Sequence, residues 1–195
     1  MRSPKRIKNY SYSQDHRNSL IEFCAKCKDL GYKNNESLDA MRLDWCLSQG
    51  GQFFLTYYDS DLISVSGCHP LPQVDSISYR LLFRGIELPE YRNFFNVVSK
   101  THMSALPFFY HVPLQIQWAK EQGYSKCVIT TNWDNPDGIK SMNKSHRVFK
   151  LLARQGLVDC EVEKIHLWHT DQSVWKLNVN SYNILRSEFE QRHGH

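Results

Sequence analysis

The sequence predicts one α/β (α+β) domain, built as a mixed, mostly antiparallel sheet flanked by helices. Three observations lead there. The apolar residues switch from helical spacing to strict alternation and back again along the chain. Residues 52–86 read as three consecutive strands, and the C-terminal third reads as strand, helix and a pair of strands. A length of 195 residues suits a single domain, long enough to bury a core without metal or disulfide help.

Taken in order, residues 1–6 open a basic tail within "MRSPKRIKN", and Ile7 to Tyr12 read as a short first strand. Ser13 or Asp15 caps a helix that carries Leu20, Ile21, Phe23, Cys24, Cys27 and Leu30, and Gly31 ends it. Asn35 or Ser37 opens a second helix through Leu38, Met41, Trp45 and Leu47, closed by Gly50 and Gly51. The alternating run "GQFFLTYYDSDLISVSGCHPLP" then gives strands Gln52 to Tyr58 and Leu62 to Cys68 around a turn at Asp59-Ser60-Asp61. Ser76 to Ile86 forms the third strand of this meander. Residues 87–104 read either as a short helix or as irregular cover. A helix ending in "PLQIQWAKEQG" stops at Gly123, and Pro113 either kinks it or marks its start. Strand Cys127 to Ile129 follows, then a helix from Ile139 to Gln155 stopped by Gly156, then strands Asp159 to His169 and Ser173 to Val179, turning at Thr170-Asp171-Gln172. The charged segment 182–195 reads as a loose helix.

Composition narrows the functional classes. A formal charge of +4 is mild, so the basic N-terminus reads as a solvated tail rather than a nucleic-acid contact. No apolar run of transmembrane length occurs and no signal-peptide core opens the chain, which predicts a cytoplasmic protein with no membrane partner. Six cysteines are scattered, and the lone Cys24-x-x-Cys27 pair lacks a second pair at zinc spacing. Buried free thiols are therefore expected rather than a metal site. No phosphate-binding glycine loop, dinucleotide fingerprint or zinc-protease motif is present.

In the stretch "KCVITTNWDN", Lys126 to Asn135, a short buried strand runs straight into two hydroxyls, two amides, an indole and a carboxylate. It reads either as an ordinary strand-to-helix turn rich in capping residues or as a reception surface for a polar ligand. The order of elements resembles that of the GNAT superfamily of N-acetyltransferases. "WAKEQGYSKCVITTN" followed by "NKSHRVFKLLARQGL" looks like that family's third helix, fifth strand and fourth helix, with Gly156-Leu157 in place of the Gly-Phe that ends its signature.

The resemblance implies an acyl-coenzyme A cosubstrate (acetyl-coenzyme A in most members) and a small-molecule or peptide amine acceptor. In such a fold the fourth and fifth strands part, and the unpaired backbone groups between them take up the pantetheine arm as a substitute strand. Carried over by position, these strands are Tyr79 to Ile86 and Cys127 to Asn132. Thr130, Thr131 and Asn132 then flank the arm, and Asn143 and Ser145 face it. The pyrophosphate loop falls at Met103 to Phe108, where no glycine occurs between Gly85 and Gly123. The N–H groups of Ser104, Ala105 and Leu106 would meet the phosphates, with Lys100 or His102 supplying charge. Glu87 and Glu90 are the candidate bases. The signature tyrosine that serves as acid falls at Leu152, leaving Tyr110 or His111 to substitute. His166, Trp168 and His169 either line an acceptor pocket or simply pack. The alternative to an enzyme is a catalytically silent binding protein of the same fold.

Overall fold

The computed structural model describes residues 7–29, 40–74, 78–81, 86–87, 110–133, 144–167 and 170–193, of which 24, 27–29, 40–42, 78–81, 86–87, 144–145, 189 and 192–193 are described by backbone alone. The chain forms two compact units, Met1–Gly123 and Tyr124–His195.

In the first unit, β1 (Ile7–Ser11), β2 (Gln52–Tyr58) and β3 (Asp61–Pro70) are successive antiparallel neighbours. The β2–β3 turn closes on Asp59 and Ser60, with Asp59 left-handed at φ 55°, a conformation tight hairpins require and Asp tolerates. Alternation gives this ribbon two faces. Phe53, Leu55 and Val65 lie on one, fully buried, and α1 (Arg17–Asp29) covers that side with Leu20 and Phe23. The opposite face carries Phe54, Thr56, Ser64 and Ser66, and α3 (Val112–Glu121) lies over it. Pro113 sits in the first turn of α3, so it marks the helix start, where a missing N–H does no harm. Between these elements, α2 (Ala40–Ser48) leads through Gly50, at φ 75°, into β2.

The third meander strand departs from the expected Ser76 to Ile86. Two short strands, β4 (Ser78–Leu81) and β5 (Ile86–Glu87), pair with β3 in different registers. Cys68 stands opposite Leu81, yet Val65 stands opposite Ile86. An unbroken antiparallel ladder would put Arg84 there, so the register slips by two residues.

In the second unit, β8 (Thr170–Leu177) runs antiparallel between β6 (Lys126–Asn132) and β7 (Val158–Leu167). Strand β8 begins at Thr170, three residues before the expected Ser173, because Thr170 and Gln172 continue the ladder opposite Leu167 and Ile165. Helix α4 (Lys144–Arg154) packs on β6 and β7. It stops at Gly156, φ 69°, with the Leu157 N–H donating to the Leu152 carbonyl 3.0 Å away, the left-handed glycine stop. The C-terminal segment is not loose. It forms α5 (Val179–His193), opened by the Asn178 side chain accepting from the Ser181 N–H at 3.0 Å, and it buries Tyr182 completely. Among the described residues, no helix is long and apolar enough to cross a membrane.

Candidate active site

Polar residues far apart in sequence meet inside the first unit. Asn9, Thr56 and Ser64 stand opposite one another across β1, β2 and β3, and Glu87 of β5 is the register partner of Ser64. His111, immediately before α3, lowers its ring onto this row and is fully buried, as are Thr56 and Ser64. The Thr56 hydroxyl donates to the Asn9 Oδ1 at 2.7 Å, and its oxygen lies 2.5 Å from His111 Nε2. A hydroxyl has one proton, and Thr56 spends it on Asn9. The contact with His111 therefore needs an Nε2–H donor, which fixes the tautomer. Burial holds the ring neutral, with its pKa pushed down to about 3. Nδ1 is left as an acceptor, and among the described residues neither it nor the Ser64 hydroxyl has a hydrogen-bond partner. His111 is thus prepared to accept a hydrogen bond. Its one N–H is already engaged.

One turn along α3 from His111, Gln115 repeats the pattern. Its Nε2 donates to Ser66 Oγ at 3.0 Å, and Gln115 is buried. Residues four apart share a helix face, so α3 is fastened to its sheet by polar side chains at both positions. Tyr110 is half-buried beside His111.

In the second unit the polar end of β6 divides between two faces. Thr131 is buried on the side of α4, where its hydroxyl accepts from the Trp175 indole N–H at 2.9 Å. Trp175 in turn packs against His146 and Phe149 of α4. Thr130 and Asn132 alternate to the other side. The Thr130 Oγ1 is buried and has no hydrogen-bond partner among the described residues, and Asn132 is exposed. Cys127, near the start of the strand, is an inert thiol, its pKa raised by burial to about 12. Past the strand, the Trp133 N–H donates to the Asp171 carbonyl at 2.9 Å. Lys164 and His166 converge on the Asp171 carboxylate, at 2.9 and 3.0 Å. Sequence reasoning noticed His166 but missed Lys164 and Asp171, because a hairpin brings them together only once its turn is placed.

Several solved structures similar to this chain in fold are acetyltransferases. A protein assigned to the GNAT family from Desulfovibrio desulfuricans matches with a TM-score of 0.55 at 14% identity, covering 89% of this chain and 99% of that one. The acetyltransferase of Streptococcus agalactiae gives 0.52 at 14% identity, over 89% and 99%. An aminoglycoside acetyltransferase from an uncultured soil metagenome gives 0.52 at 12%, over 86% and 97%. The chain has the GNAT fold. No family model and no curated protein matches the sequence, so the likeness resides in the backbone.

Of the residues that the resemblance assigns to a site, some are among those described. Glu87 is in β5 and Ser145 in the first turn of α4, both described by backbone alone. Glu90, Ser104, Ala105, Leu106 and Asn143, together with Lys100, His102, Trp168 and His169, lie outside the described residues. Leu152, where the resemblance puts the signature tyrosine, is 3% exposed. Among the described residues, no group of His, Cys, Asp and Glu could hold a metal ion.

Proposed function

We propose that this chain is an acyl-coenzyme A-dependent N-acyltransferase, in the first instance an acetyltransferase, acting on a primary amine of a small molecule or peptide. The likeness of its fold to acetyltransferases carries the reading. In the proposed reaction the amine nitrogen attacks the thioester carbonyl, the C–N bond forms and the C–S bond breaks. The amine gives up a proton and the departing thiolate takes one. Glu87, or Glu90 beyond it, receives the amine's proton. Glu87 follows the two-residue register slip opposite β3, the kind of sheet irregularity that re-aims side chains near reaction centres. Tyr110, half-buried at the entry to α3, is the proposed donor to the thiolate. His111 is a poorer donor, since its neutral ring has a single N–H already held by Thr56.

The donor's arm follows β6. The Thr130 hydroxyl, buried with no partner among the described residues, supports this placement, because a ligand that pairs a buried polar atom recovers the desolvation cost it otherwise carries. Thr131 holds the strand end through Trp175, and Asn132 is exposed for contact. Ser104, Ala105 and Leu106 receive the phosphates, and Asn143 and Ser145 the pantetheine.

A second reading, a binding protein that has lost catalysis, is favoured by one observation. The position where the resemblance puts a proton-donating tyrosine is a buried leucine, Leu152. Release of free coenzyme A from acetyl-coenzyme A, measured with a thiol reagent across a panel of primary amines, separates the two. The transferase reading expects amine-dependent release that falls roughly 10²–10⁴-fold in Glu87→Gln. Tight binding of acetyl-coenzyme A with no release for any amine supports the silent protein instead.

A further inference from the structure

We propose that the ring of Trp133 and the carboxylate of Asp171 form a seat for the primary ammonium group of an acceptor, occupied in the free protein by the chain's own Lys164. The Lys164 ammonium lies 4.3 Å from the centroid of the Trp133 ring and 2.9 Å from Asp171 Oδ2. An aromatic face and a carboxylate converging on one ammonium is the chemistry by which proteins recognise alkylamines. The other carboxylate oxygen, Oδ1, is held by His166 Nδ1 at 3.0 Å. Lys164 and then His166 keep Asp171 below the usual carboxylate range, so the seat carries a negative charge at neutral pH.

Lys164 does not hold the seat together. The Trp133 backbone N–H donates to the Asp171 carbonyl at 2.9 Å, Asn132 and Gln172 are ladder partners, and the Gln172 side chain is buried and bonded to Thr170 Oγ1 at 2.9 Å. Backbone pairing thus sets where the Trp133 and Asp171 main chains lie independently of the lysine. Lys164 can swing away easily. Its side chain is 49% exposed, and exposed ion pairs of this kind contribute little. A free alkylamine carries the same charge and competes for the same position. The seat immediately follows Asn132, the end of the strand assigned above to the acyl donor's arm. Its role in catalysis rests on that reading, but its affinity for amines does not.

Lys164→Met keeps the apolar stem and removes the occupant. Calorimetric titration with 1,5-diaminopentane, without any acyl donor, is expected to bind this variant about three- to tenfold more tightly than the natural protein. Asp171→Asn is expected to lose the binding. The ring resonances of Trp133 should shift on titration of the natural protein and should not shift with 1-pentanol. Equal affinity in the natural protein and Lys164→Met, undiminished binding in Asp171→Asn, or an equal response to pentanol would each overturn the seat. Both substitutions are at exposed or half-exposed side chains, and thermal melting of each variant checks that the fold persists. Acetyl-coenzyme A binding with no amine affinity at this seat would sink this inference alone. Amine affinity with no acyl-donor binding would leave it standing and remove its catalytic role.

Discussion

Burial of His111 makes the stability of this protein depend on pH below neutrality. Its native pKa is lowered from 6.5 to about 3 by burial. The unfolded chain therefore takes up a proton near pH 6.5 that the native chain refuses, and stability is lost as pH falls from there toward 3. Between pH 7 and pH 5 the loss from this one group is about 2 kcal/mol. Carboxylates with lowered native pKa, such as Asp44 and Asp171, contribute below that window, not within it. His111→Gln keeps a donor for Thr56 and removes the titration. Urea unfolding at the two pH values should show a loss smaller by about that amount in the variant, and an equal loss would mean the ring is protonated in the native state. The Trp175–Thr131 bond gives a second prediction at this scale. Thr131→Val leaves a buried indole N–H unpaired and should cost about 1–3 kcal/mol, while Thr131→Ser keeps the acceptor and should cost less. Urea midpoints of the pair decide it, and equal losses would assign the effect to packing.

Elements reveal which parts of the fold local sequence can encode. Gly51 joins α2 to β2, and a Cβ there would stand 2.6 Å from the Cys46 carbonyl oxygen and 3.0 Å from that of Cys68. Both neighbours are backbone, which cannot rotate aside, so Gly51→Ala should destabilise by about 1–3 kcal/mol, read from the urea midpoint. A neutral result would show that the connection has room to move. The glycine stops were legible for the same local reason. Gly123 and Gly156 adopt φ 81° and 69°, and both were readable as helix ends from sequence. The β2–β3 hairpin was legible from alternation around Asp59 and Ser60. The slip between β4 and β5 was not, because it lies in a pairing with β3 that no local pattern records. Nor was the buried role of α5, whose charged composition concealed one fully enclosed ring, Tyr182. The candidate site divides along the same line. Thr130, Thr131 and Asn132 stood out as a polar strand end, and strand alternation accounts for Thr131 facing Trp175 while Thr130 does not. The row Asn9, Thr56, Ser64 left no trace in sequence, since three strands must pair before it exists.

At the scale of the whole chain, the fold match spans most of its length although identity is 14% or less in the acetyltransferases compared. Backbone path survives such divergence because it depends on where apolar residues and turns fall, whereas a cofactor site depends on particular side chains. The glycine-free stretch between Gly85 and Gly123, and Leu152, are places where this sequence departs from the pattern that the resemblance implies. Whether an acyl donor still binds is therefore a question about the native state as a whole, and mass action answers it without knowledge of the acceptor. A ligand that binds only the folded chain stabilises it by RT ln(1 + [L]/Kd), so beyond saturation each tenfold rise in concentration adds about 1.4 kcal/mol. For a chain of this size that is about 3–6 °C in melting temperature per decade. Acetyl-coenzyme A should raise the melting temperature by that slope. Pantetheine lacks the nucleotide and its phosphates, so it should need a much higher concentration for the same rise if the glycine-free segment still binds pyrophosphate through backbone N–H groups. Equal potency of the two would mean that the phosphate contact is gone and only the strand-like arm is recognised. A melting temperature indifferent to both, with propionyl- and longer acyl-coenzyme A equally without effect, would remove the acyl donor from this fold and leave the silent binding protein as its function.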